Sequence, residues 1–144
     1  MSEHTAHIQW QRQGDFSHEG FDRSHEARIS GHSLPMAGAN TADFADPEQV
    51  LAASLASCHM QTFLVLASKK RFHVDSYEDT AIARLDKNDE GKQYVREIEL
   101  KPKAVFSGDK QPTKEEIEKM HHKAHAFCFI SNSLISQVIV NPVL

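Results

Sequence analysis

The residues of this sequence best suited to covalent chemistry are its two cysteines, Cys58 and Cys128. One thiolate of a pair can attack an oxidant, and the second thiol can then close a disulfide with the oxidised sulfur. The competing reading is two inert thiols in a packed core, where cysteine behaves as a small hydrophobe. The number of cysteines does not separate these readings. Compartment bears on the choice. The first ten residues hold two histidines, a glutamate and no apolar stretch, so no secretory leader is expected and the expected compartment is the reducing cytoplasm. Paired cysteines there are more often catalytic or redox-sensing than structural.

A nucleophilic Cys58 needs a cation, because burial disfavours a thiolate. No Lys or Arg lies within one helical turn of it in sequence, but Arg12, Arg23 and Arg28 are available upstream. Ionisation alone gains little. Lowering a thiol from about 8.5 to about 6 raises the thiolate fraction at pH 7 roughly 30-fold. The accompanying loss of nucleophilicity takes back roughly 13-fold. An arginine must therefore also orient the oxidant and stabilise the departing oxygen anion. Its planar, permanently charged fork suits that task. A carboxylate could hold the fork in place, and Glu48 stands ten residues before Cys58, roughly 15 Å along a helix.

The histidines carry less. His59 follows Cys58, and adjacent helical residues point about 100° apart, so a direct role as base is disfavoured. His121 and His125 have the i, i+4 spacing of a metal pair, but no third ligand accompanies them at metal-site spacing. A solvated histidine face is expected there, with no metal and no cofactor. A Cys-His acyltransferase is disfavoured too, since no oxyanion motif accompanies Cys58.

The elements that must position these groups are legible in outline. Residues 8–13 and 26–30 read as short strands, and 31–46, with Pro35 and Gly38, as a long loop. Asp46-Pro47-Glu48-Gln49 starts a helix that runs to about residue 70, with Asp46 as N-cap and Gln49 at the capping-box position. Leu51, Leu55, Cys58, Thr62 and Val65 share one face, and neighbouring faces are apolar too, which predicts a buried central helix. Residues 74–85 and 93–106 read as strands around an Asn88-Asp89-Glu90-Gly91 turn. In the second, Tyr94, Ile98, Leu100, Ala104 and Phe106 alternate with charged residues, as in an antiparallel sheet buried on one side. Thr113 and Glu116 form another capping box, for a helix with the apolar stripe Ile117, Met120, Ala124 and Phe127. Cys128 falls at its end, 131–136 reads as a further helical turn and 137–140 as a last strand. The fold class is α+β, a curled antiparallel sheet around a buried helix.

The bulk properties set limits. The 144 residues fit one domain, residues 1–144, with a small core. The net charge of −4 and the lack of a basic stripe argue against nucleic acid. No apolar run of transmembrane length is expected, so no membrane partner is either.

The segment Asp46-Pro47-Glu48-Gln49-Val50-Leu51-Ala52-Ala53-Ser54-Leu55-Ala56-Ser57-Cys58-His59 resembles the first-cysteine motif of the OsmC/Ohr family, the osmotically inducible and organic-hydroperoxide-resistance proteins. Ala124-His125-Ala126-Phe127-Cys128-Phe129-Ile130-Ser131-Asn132-Ser133 is similar to its second-cysteine motif, although the family usually has proline where Phe129 stands. The resemblance implies an OsmC-like fold with curled antiparallel sheets around buried central helices, in an intertwined homodimer whose subunits share two active sites. It implies that a Cys58 thiolate reduces a hydroperoxide and becomes a sulfenic acid, which Cys128 resolves to a disulfide. The catalytic set carried over is Cys58, Cys128, Arg23 and Glu48, with Arg28 as the alternative arginine. The implied partners are the hydroperoxide and a dithiol reductant, a lipoyl dithiol in the organic-hydroperoxide branch. Leu34, Met36, Phe44, Met120 and Phe127 would give the pocket an apolar mouth suited to organic hydroperoxides. The alternative function is a redox-sensing or binding module with little turnover.

Overall fold

The structure is a computed structural model that describes residues 1–38 and 41–144. The chain forms two compact units, Met1–Val50 and Leu51–Leu144.

The first unit holds an antiparallel sheet of order β1-β2-β3, from β1 (His7–Gln9), β2 (His25–Ile29) and β3 (His32–Met36). β3 corrects the expectation of an unbroken loop over 31–46; residues 39 and 40 of that stretch lie outside the described residues. Its cause is the Ser30-Gly31 pair. Both residues have positive φ, 51° and 79°, which makes the tight two-residue turn that matches hairpin twist. Pro35 fits because β3 is an edge strand. β1 is shorter than the expected 8–13.

Helix α1 (Pro47–Lys69) begins as expected. The Asp46 carboxylate accepts from the Gln49 N–H at 2.8 Å, and the Gln49 side chain accepts from the Asp46 N–H at 2.9 Å. Its buried stripe is Ala52, Leu55, His59, Phe63 and Ala67. The expected stripe through Cys58, Thr62 and Val65 is rotated from this one. Val65 is 51% exposed, and Cys58 and Thr62 lie at the edge of the buried face. Burial all round was expected; one face is buried in the single chain. At 23 residues α1 is also long and apolar enough, by length and composition, to cross a membrane, which corrects the expectation that no segment reaches that length. Here its buried stripe packs into two apolar clusters, as a core helix does.

The two long strands expected over 74–85 and 93–106 are each broken once. β4 (His73–Glu78) and β5 (Ile82–Lys87) form one arm, β6 (Gln93–Leu100) and β7 (Lys103–Ser107) the other. The arms meet at the expected turn, where the Asn88 side chain accepts from the N–H groups of Glu90 and Lys92. β5 pairs with β6 in one sheet and β4 with β7 in another, so both arms change sheet at the same level. Pro102 is at the bend and has no N–H for a ladder. The Lys101 N–H is satisfied instead by the Asp79 carboxylate at 2.7 Å. Cys128, Leu55 and Ala52 pack with Ile98 and Leu100 in one cluster. Phe63, Ala67, Phe72, Met120 and Ala124 form the second.

Helix α2 (Lys114–Phe127) carries the expected reciprocal box between Thr113 and Glu116. Met120 and Ala124 are buried as its pattern demands, but Phe127 is exposed. The further helical turn is α3 (Phe129–Asn132), earlier than the expected 131–136. β8 (Gln137–Val140) runs parallel to β6, so that sheet is mixed and not wholly antiparallel. A chain that leaves β7 and returns through two helices can lay down a parallel strand.

Candidate functional site

The structure brings Cys58 and Cys128, 70 residues apart in sequence, into one place. Both are free thiols. Cys58 sits about three turns into α1, half-buried, and packs against the cluster that contains Cys128. Cys128 is fully buried at the junction of α2 and α3, where its extended backbone ends one helix and caps the next. Its Sγ accepts from the Ser131 N–H at 3.4 Å. Proline is therefore not needed to start α3; Phe129 takes the first position and the Cys128 thiol serves as the cap.

Burial pushes the Cys128 thiol up to about 11, and the neighbouring Cys58 thiol pushes the same way. The N–H groups of Ser131 and Ile130 offset part of this. At neutral pH Cys128 is thus a protonated thiol.

A cavity of about 370 Å³ opens beside Cys58 alone of the two sulfurs. Ser54, Ser57, Gln61 and Thr62 supply its polar wall, and Phe129 and Ile130 its apolar one. None of the residues expected at the pocket mouth is among those that line this cavity. Met36 and Met120 are buried, Leu34 is half-buried on β3, and Phe127 is exposed and absent from this lining. Phe44 lines a different cavity. The hydrophobic pattern of α2 drew attention to Phe127, whereas the kink at Cys128 turns Phe129 toward the thiol cavity instead. The unusual aromatic in place of proline was the available signal.

Arg23 and Glu48 belong to the first unit. Arg23 lines a cavity of about 460 Å³ with Asp22, Ser24, Ala37, Gly38, Thr41 and Phe44. Its guanidinium lies 4.9 Å from the Phe21 ring centre. Arg28, the alternative, is on β2 and pairs with Glu26 at 3.1 Å. Glu48 is half-buried in the first turn of α1. Among the described residues Arg23 and Glu48 do not form an ion pair.

The histidine expectations need correction. His59 and His121 are 1% and 2% exposed, stacked with ring centres 5.2 Å apart, and hydrogen-bonded Nε2 to Nδ1 at 2.9 Å. His121 also stacks on Phe63 at 4.2 Å. Burial pushes His59 down to about 4 and His121 to about 3, with the neighbouring imidazoles adding to the effect. Both are neutral at pH 7. The face of α2 expected to be solvated is therefore split: His122 is exposed, His125 is half-buried with Nδ1 at 3.0 Å from the Ser131 hydroxyl, and His121 is core. The signal was present in the spacing, since His59 falls four residues from both Leu55 and Phe63. Among the described residues no group of three or more His, Cys, Asp or Glu is placed to hold a metal.

A long helix, buried along one face, that presents one cysteine to a cavity, with a second cysteine capping a helix against it, defines a two-cysteine α+β thiol protein. The chain belongs to the OsmC-like protein family, whose sequence model matches residues 40–142. An OsmC-like protein of unknown function from Vibrio cholerae O1 biovar eltor shares 37% identity and superposes with a TM-score of 0.94 over 99% of this chain and 100% of that one. The organic hydroperoxide resistance protein OhrB of Bacillus subtilis shares the fold at 20% identity, with a TM-score of 0.67 over 96% of each chain. An organic hydroperoxide resistance protein OsmC from Legionella pneumophila does so at 18% identity, with a TM-score of 0.67 over 99% of this chain and 97% of that one. None of the curated proteins matches the chain. The OsmC-like fold expected from the cysteine motifs is thus the fold observed.

Proposed function

We propose that this protein is a thiol-dependent peroxidase that reduces organic hydroperoxides. The observation that carries the reading is the meeting of two free thiols at a cavity that reaches only one of them. Cys58, on the cavity, attacks the hydroperoxide ROOH; the O–O bond breaks, the sulfur becomes a sulfenic acid and the alcohol ROH departs. The Cys128 thiol then displaces the sulfenic hydroxyl, its proton leaves with that hydroxyl as water, and a disulfide closes. A dithiol reductant, lipoyl-bearing protein being the candidate, returns both sulfurs to thiols and is itself oxidised to a disulfide.

The division of labour follows from environment. A fully buried thiol pushed up to about 11 is a poor first nucleophile, but it survives protonated until an electrophilic sulfur forms beside it. Phe129 and Ile130 give the cavity a surface for a hydrocarbon body, and binding of that body orients the O–O bond. Arg23 is assigned to orient the peroxide and stabilise the leaving oxygen, with Glu48 steadying the guanidinium; that Arg28 is already paired supports the choice of Arg23. A homodimer in the cytoplasm, with both subunits contributing to each site, completes the reading.

The test is turnover of cumene hydroperoxide with dihydrolipoamide. Wild type should consume the peroxide catalytically and Cys58→Ser should not. Wild-type protein that folds but consumes no hydroperoxide with any dithiol would leave the sensing or binding reading in its place.

A further inference from the structure

Arg23 is an exposed side chain on the segment between β1 and β2, yet several contacts fix it from more than one side. Three aromatic residues of the same unit cluster beside it, and one of them, Phe21, meets its guanidinium. Trp10 meets Phe16 at 5.8 Å and Phe21 at 6.3 Å, both edge to face, and Phe16 meets Phe21 at 5.3 Å. The Arg23 guanidinium lies over the Phe21 face. The Trp10 indole N–H donates to the carbonyl of Asp22 at 2.8 Å, one residue before the arginine. On the other side, the Asp22 carboxylate accepts from the Ser24 N–H at 2.8 Å, and the Arg23 carbonyl lies 2.7 Å from the His25 Nδ1. Backbone before, backbone after and guanidinium beneath are all held.

Core packing does not account for this cluster. Phe16 is 67% exposed and Trp10 40%. An aromatic trio that remains in water gives up much of the burial that would justify it on stability alone. What it does provide is a flat, electron-rich face for one cation. These residues also precede the stretch matched by the family model, residues 40–142.

We propose that Trp10, Phe16 and Phe21 form an aromatic platform that holds Arg23 in the orientation the hydroperoxide requires. They are positioning residues, acting through the arginine. The inference rests on the reading above that Arg23 serves the peroxide. A free arginine samples many rotamers, and each must be frozen out as the oxidant binds. A cation–π contact at an exposed site biases that distribution by about two- to fivefold. The indole-to-backbone bond acts with it, by keeping the segment from swinging the ring away from the guanidinium.

The experiment uses the full chain, reduced, and reads two rates. One is the second-order rate constant with cumene hydroperoxide; the other is alkylation of the same thiol by iodoacetamide, which needs no oriented peroxide. Arg23→Ala should lower the peroxide rate by about two orders of magnitude. Phe21→Leu should lower it about two- to fivefold with alkylation unchanged. Phe21→Tyr, which keeps the aromatic face, should restore it. In the Arg23→Ala background Phe21→Leu should have no further effect, since there is no cation left to hold. The platform is overturned if Phe21→Leu reacts as fast as wild type while Arg23→Ala does not. It is equally overturned if Phe21→Leu costs the same factor with or without Arg23, or slows alkylation in parallel. If Arg23→Ala keeps full reactivity, the assignment of the arginine itself fails and the platform falls with it.

Discussion

Cys128 differs from Cys58 in what its sulfur can reach. It is closed off from solvent, caps α3 and lies in the cluster against which Cys58 packs, while Cys58 lines a cavity. Cys128→Ser should therefore still consume about one equivalent of hydroperoxide and leave a sulfenic acid that dimedone traps. A Cys128→Ser protein that fails in the first turnover, beside a Cys58→Ser protein that does not, would reverse the roles. The buried imidazoles make a second claim at this scale. His59 and His121 are depressed to about 4 and about 3 from an ordinary 6.5. The folded state then holds both neutral while the unfolded chain takes up protons below about pH 6.5. Their contribution is complete above that pH and is lost as pH falls toward 4. The slope is at most about 1.4 kcal/mol per pH unit for each ring, less where the two are coupled. Urea midpoints at pH 7, 6 and 5 should fall in wild type, and fall less steeply in His121→Leu. Equal slopes for the two proteins would refute the buried pair as the source.

Among the elements, α3 has the largest effect on the site for its size. It is four residues long, and its start at Phe129 sets an aromatic ring on the thiol cavity. That ring is 82% exposed in the single chain, so an organic substrate that covers it gains apolar contact. Removal of the ring in Phe129→Ala should lower kcat/KM for cumene hydroperoxide roughly fifteenfold, on the basis of two lost methylene equivalents at about 0.8 kcal/mol each. The rate with hydrogen peroxide should hold, because that oxidant has no body to bind. A parallel fall for both peroxides would mean that Phe129 supports the loop and not the substrate.

For the whole molecule, apolar surface sets the expectation. Val65, Phe127 and Ile135 are all exposed in the second unit, on a chain of 16.2 kDa. Exposed apolar side chains of this size are what a second copy would cover in a dimer. The protein should sediment as a homodimer of about 32 kDa, with the monomer unfolded when the dimer is diluted apart. A folded monomer at low micromolar concentration would remove the dimer, and with it the sharing of sites between subunits.

The sequence alone located both helix starts, because a capping box is a local device: Asp46 with Gln49 and Thr113 with Glu116 need only their own neighbours. It also located the Asn88–Gly91 turn, for the same reason. The two cysteine motifs brought the fold with them. Where the result depended on distant partners, local pattern failed. The two arms of the hairpin read as unbroken strands, since nothing local shows that Asp79 will meet the Lys101 N–H across 22 residues and let both arms change sheet. His59 read as a bystander and His121 as solvated, since an imidazole can enter a core only once a partner 62 residues away supplies the hydrogen bond. Phe127 and Phe129 could not be ranked for the cavity until the chain direction at Cys128 was known. Local hydrogen bonds and periodicity are written in neighbouring residues, while burial, imidazole pairing and the cavity wall depend on which distant surfaces meet. Those meetings were decided by the tertiary structure.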